Sequence, residues 1–139
     1  MKSKELSNKL NTKEKLSTLW IVVMFSMIFA DILSFMLPDF LKNLMDSTAN
    51  MKINQEIMLL MAILLEVPIV MIYLSRILKY KANRLLNIIA AVITIIFVTV
   101  GGSTYLHYIF FATVEVIFML LIIWHSWTWQ IHENEVAKD

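Results

Sequence analysis

The sequence predicts an all-α protein, an integral membrane four-helix transmembrane bundle. Three observations carry that expectation. Hydrophobic residues make up 59% of the 139 and charged residues only 17%, against roughly 45–50% and 25% in soluble domains. The charges avoid long stretches: Asp31 stands alone between Leu16 and Leu37, Glu66 between Ile57 and Ser75, and none lies between Leu85 and Val114. Finally, four apolar runs reach the ~20 residues that a helix needs to cross a bilayer. They are 16–37, 57–78, 83–102 and 106–129.

Residues 1–15 are polar and lysine-rich and read as a short cytoplasmic tail, partly disordered. The first span, 16–37, is too long for a signal-peptide core and lacks a small-residue cleavage site, so it reads as retained. Helical spacing puts Trp20, Met24, Met27, Asp31, Ser34 and Phe35 near one face, and Pro38 ends the run. The connection 38–56 is an outer amphipathic segment. In it Phe40, Leu41, Leu44 and Met45 recur at helical spacing after Pro38-Asp39, which predicts a short interfacial helix.

The second span, 57–78, carries Glu66 and, one half-turn on, Pro68. Proline has no N–H, so the Leu64 carbonyl loses its helical donor and a hinge is expected there. Residues 79–84 form a tight basic connection. The third span holds the small and polar residues Asn87, Ala90, Ala91, Thr94 and Gly101, suited to close helix packing and interhelical hydrogen bonds. Gly101-Gly102-Ser103-Thr104 reads as a turn. The fourth span aligns Tyr108, Phe111, Ala112, Glu115, Met119, Ile122 and Ser126, and a tail, 130–139, follows. The whole of 16–129 reads as a single membrane domain.

Basic residues set the expected orientation. Ten of the twelve lysines and arginines fall on the side of both termini, leaving Lys42 and Lys52 on the other. Basic residues remain cytoplasmic, so both termini are expected inside. Trp20, Trp124, Trp127 and Trp129 fall toward that same end, where an aromatic belt is expected.

Depth makes the three acids a candidate site. At 1.5 Å per residue, Asp31 lies about 9 Å below Leu37, and Glu66 and Glu115 each about 13 Å below the outer ends of their spans. They therefore sit within about one helical turn of each other in depth, with no lysine or arginine at that level. An ionised acid at a helix centre costs on the order of 2.5–3.5 kcal/mol. At least two of the three are expected to be protonated unless a cation sits among them. Tyr73 and Tyr108 each lie seven residues from Glu66 and Glu115 and share their faces. His107 stands near the outer mouth. The bland alternative is a buried polar network that fixes helix register.

The segments KLSTLW (15–20), FAD (29–31), LEVPIVMIYLSR (65–76) and NR (83–84) resemble a family of small bacterial four-span inner-membrane proteins of unknown function. The resemblance implies a bacterial inner-membrane location and supplies no activity. Small multidrug exporters share the span count, but Asp31 comes late in its helix and their glycine-rich packing is missing, so their function is not carried over.

The leading expectation is binding or transport of a small cationic or proton-exchanging solute, with Asp31, Glu66 and Glu115 as the exchanging groups, Tyr73 and Tyr108 orienting them, and Pro68 as hinge. A structural or adaptor subunit of a membrane complex is the second class. A membrane enzyme on a lipid-soluble substrate is the third, and no catalytic motif points to it. No cofactor or metal is expected: there is no cysteine, and no pair of histidines lies at one depth. The partner is the lipid bilayer, and so short a chain is compatible with a homodimer or a partner in a membrane complex. No nucleic acid is expected, because topology accounts for the basic segments.

Overall fold

The computed structural model describes residues 2–45 and 55–129, and among these every regular element is a helix. In order they are α1 (Lys2–Phe35), α2 (Pro38–Met45), α3 (Gln55–Ile77), α4 (Tyr80–Val100) and α5 (Leu106–Thr128). Four stretches are long and apolar enough to cross a membrane: Asn11–Phe35, Gln55–Ile77, Tyr80–Val100 and Leu106–Thr128, with mean hydropathies of 2.0 to 2.6. These helices overlap the four apolar runs of the sequence.

The N-terminal segment departs from expectation. Rather than a partly disordered tail, it is the first part of α1, which runs 34 residues. At 1.5 Å per residue that is about 51 Å, well beyond a hydrocarbon core of about 30 Å. A short helix is present where one was expected, as α2, with Pro38 as its first residue, a position where the missing N–H costs nothing. Phe40 anchors it by edge-on ring contacts with Phe35, 5.8 Å between centroids, and Tyr105, 6.3 Å. The side chains of Leu44 and Met45, the rest of that connection (46–54) and the tail 130–139 lie outside the described residues.

The four long helices form a closed ring. α1 packs on α3 and α5, and α4 packs on the same two, so first and last helices are neighbours. Short connections force α3, α4 and α5 to run up and down alternately. α1 and α4 begin, and α3 and α5 end, at one basic end of the bundle; α2 sits at the far end. Gly101 makes the turn out of α4, where a Cβ would come within 2.9 Å of the Phe97 carbonyl oxygen.

The core is thin and the surface oily. Leu16, Trp20, Val23 and Met27 of α1 meet Met71 of α3, Ala90, Ala91 and Val98 of α4, and Met119 and Ile122 of α5. Ala90 and Ala91 let α4 approach its neighbours closely. Outside, Phe25, Phe29, Leu59, Leu60, Ile96, Phe110 and Leu120 are exposed. Soluble monomers rarely expose a contiguous apolar patch beyond a few hundred Å². The belt here matches lipid.

Polar side chains bind the basic end from within. Trp20 donates its indole N–H to Asn87 Oδ1 at 2.7 Å, and the Ser75 hydroxyl donates to the same oxygen at 3.1 Å. Asn87 Nδ2 donates to the Asn83 carbonyl oxygen at 2.8 Å and Oδ1 at 2.5 Å, and Asn83 Nδ2 donates to the Ser75 carbonyl at 2.6 Å. All four residues are buried. Trp20 is thus a core residue rather than part of an interfacial belt, and Trp129 is also buried, its ring edge-on to Tyr80 at 5.1 Å. Trp124 and Trp127 remain exposed, as a belt requires.

The seam between α1 and α3 continues this network. Arg76 Nε donates to Ser17 Oγ at 3.0 Å, and Ser17 donates to the Ile72 carbonyl at 2.9 Å. Lys13 Nζ donates to the Leu78 and Arg76 carbonyls at 2.7 and 3.3 Å. These are orphan carbonyls at the end of α3, which a cation satisfies well.

Asn87→Leu strips partners from Trp20, Ser75 and Asn83 together. A buried group left unpaired costs about 1–3 kcal/mol. The variant is expected to unfold about 2–3 kcal/mol more easily in detergent titrations followed by circular dichroism.

Candidate functional site

The spacing of α5 carries an acid inward. Glu115, Met119, Ile122 and Ser126 recur every three or four residues and all four are buried. Burying the apolar pair, Met119 and Ile122, therefore drags Glu115 into the bundle. It is 3% exposed, and its Oε1 has no hydrogen-bond partner. Such an oxygen is costly in a medium without water.

Asp31 approaches from α1. The buried line of that helix passes through Ala30 and Ser34, one turn apart. Asp31 lies about 100° round from Ala30 and is exposed at the bundle surface. It stands about 6 Å below the last residue of α1, at the edge of the seam. α1 and α5, the helices that carry Asp31 and Glu115, pack against each other.

Tyr108 and His107 close the far end. The Tyr108 hydroxyl donates to the Val98 carbonyl at 3.2 Å, tying α5 to α4. Ser34 Oγ donates to the Ala30 carbonyl at 2.8 Å and lies 3.0 Å from His107 Nε2. Since the serine has spent its only proton on Ala30, Nε2 is the donor in the second bond. The His107 ring stacks on Tyr105, 5.8 Å between centroids. Beside Tyr108, a groove of about 390 Å³ opens between α4 and α5, bordered by Val98, Gly102, Ala112 and Val116.

Two of the predicted site residues fall elsewhere. Glu66 is exposed on α3, and Tyr73 is 66% exposed on the same face. The buried line of α3 is Pro68, Met71 and Ser75, on the opposite side. The expected cluster of three buried carboxylates is not formed: only Glu115 is buried, and Asp31, like Glu66, is exposed. Depth counting does not set azimuth, and α3 packs beside α1 and α4 rather than against α5. Pro68 faces the core within an unbroken α3, away from Glu66.

The basic residues are occupied elsewhere. Arg76 bonds Ser17, and the Arg84 guanidinium lies 5.5 Å from the Trp127 ring centre, a cation–π contact at the basic end. Among the described residues, no group of three His, Asp or Glu side chains is placed to hold a metal. The Ser34–His107 pair joins two residues 73 apart. His107 is readable in the sequence as a residue near the mouth, but nothing in the sequence pairs it with Ser34.

The fold and its buried acid define a small polytopic four-helix membrane protein. The chain belongs to a family of unknown function, DUF6326, whose model matches residues 1–137. Comparison with curated proteins and with solved structures finds no match.

An unpaired buried oxygen is a stability defect, and replacing it with an apolar side chain of similar size removes the cost. Glu115→Leu is expected to resist detergent unfolding better than the wild type by about 1–3 kcal/mol. Equal or lower resistance would show that Glu115 is a stabilising element of the fold.

Proposed function

We propose that the protein exchanges protons for a small cation at the Asp31–Glu115 pair. One observation carries this reading: Glu115 is buried in a lipid-facing bundle with a free carboxyl oxygen, and Arg76 and Arg84 are engaged at the other end. Intramembrane ionisable groups that face a bundle interior are functional by default, and a group kept at a cost to stability fits that rule.

The roles follow from position. Asp31, at the exposed edge of the seam, meets the solute first. Glu115 holds either the proton or the cation, one replacing the other so that the pair never carries two uncompensated charges. Tyr108, fixed to the Val98 carbonyl, orients the acids. His107 and Ser34 form a donor–acceptor step from the far surface toward Asp31. Pro68 gives α3 a flexible point, since the Leu64 carbonyl has no helical donor there. Charge asymmetry supports a multi-pass location in a bacterial cytoplasmic membrane with the basic end and both termini inside. Glu66 and Tyr73 have no part in this chemistry.

The test uses purified protein in liposomes containing a pH dye. Guanidinium, tetramethylammonium or sodium is added outside. At least one is expected to drive proton movement in the wild type and in Glu66→Gln. Glu115→Gln, with unchanged helical content, is expected to abolish it. Equal proton movement in the wild type and Glu115→Gln would sink the proposal.

A further inference from the structure

The outer face of α3 is chemically out of place. Only 11% of its apolar window is buried, against 39%, 33% and 17% in the other three spans. Yet this exposed helix carries a carboxyl group, Glu66, about 16 Å from its first residue, at mid-helix. Even a neutral carboxyl finds no hydrogen-bond partner in hydrocarbon.

The exposed residues have an order. Leu59, Ala62, Glu66, Ile69 and Tyr73 are all exposed, and their spacing is three, four, three, four. That is a seven-residue repeat, with Leu59, Glu66 and Tyr73 at one position and Ala62 and Ile69 at the other. Such a seam is what a helix offers to a second helix that supercoils with it. Ala62 allows close approach. A single polar residue within an otherwise apolar seam fixes register and the number of chains.

We propose that two copies of the protein associate in parallel through this face of α3, about a two-fold axis along the membrane normal, with the two Glu66 carboxyls hydrogen-bonded to each other. A second copy is the occupant because the requirement is self-complementary. Two chains inserted with the same orientation place Glu66 at the same depth, and a two-fold axis brings a residue of the first seam position against its own counterpart. A protonated carboxyl both donates and accepts, so the pair satisfies itself without a basic partner. Tyr73 meets Tyr73 of the second copy about two turns nearer the basic end. This inference is independent of the Asp31–Glu115 pair, which lies on other helices.

The chain has no cysteine, so single cysteines report cleanly. Each residue from 59 to 73 is replaced in turn in the full chain, and membranes are treated with a copper–phenanthroline oxidant. Cross-linked dimers are expected at Leu59→Cys, Ala62→Cys, Glu66→Cys, Ile69→Cys and Tyr73→Cys, and not at the core-facing Met71→Cys. In parallel, fluorescently labelled protein in bilayers is counted by stepwise photobleaching. Two steps are expected for the wild type and Glu66→Gln, and Glu66→Leu is expected to weaken association about tenfold. Single-step bleaching of the wild type, cross-links spread evenly around α3, or undiminished dimers in Glu66→Leu would each overturn the proposal.

Discussion

Asn87 accepts from Trp20 of α1 and Ser75 of α3 while donating back along α4 to Asn83. In lipid there is no hydrophobic force to draw one apolar helix to another, because the tails are as apolar as the side chains. Association rests on close packing and on polar groups with nowhere else to go. One amide that engages three helices sets their rotation and depth together. The remaining seams at the basic end, Arg76 on Ser17 and Lys13 on the α3 carbonyls, follow from that arrangement.

The two ends of the bundle then contrast. At the basic end the Trp20, Ser75, Asn83 and Asn87 side chains meet partners across or along the helices. Toward the far end Glu115 keeps an oxygen unpaired, with Asp31 at the edge and the His107–Ser34 bond above. A membrane protein can hold a poorly satisfied acid only if other contacts fix the fold. The hydrogen-bonded side chains of the basic end supply that rigidity, although Ser126 there also keeps a buried hydroxyl oxygen without a partner.

Much of the site was legible one residue at a time. The 3.6-residue period of the fourth span put Glu115 with Met119, Ile122 and Ser126, and all four are buried. Asn87, Ala90, Ala91 and Thr94 stood out as the packing residues of the third span, and they are in the core. Glu66 failed because apolar residues cover nearly every side of α3, so period alone cannot say which side faces the protein. Trp20 failed for a related reason. An indole suits an interface or a buried hydrogen bond equally well, and the choice depended on Asn87, 67 residues away.

What the sequence determined by itself was the helical class, the number of long apolar helices and their approximate ends. These follow from run length, charge spacing and the fixed rise of a helix, all of which are local. Which helices are neighbours, which side of each faces inward, and which acid is buried were decided by the tertiary structure alone. Those depend on the packing of α1 against both α3 and α5 and on hydrogen bonds between residues far apart in the chain. A lipid environment accepts any apolar face turned outward, so composition could not choose among them.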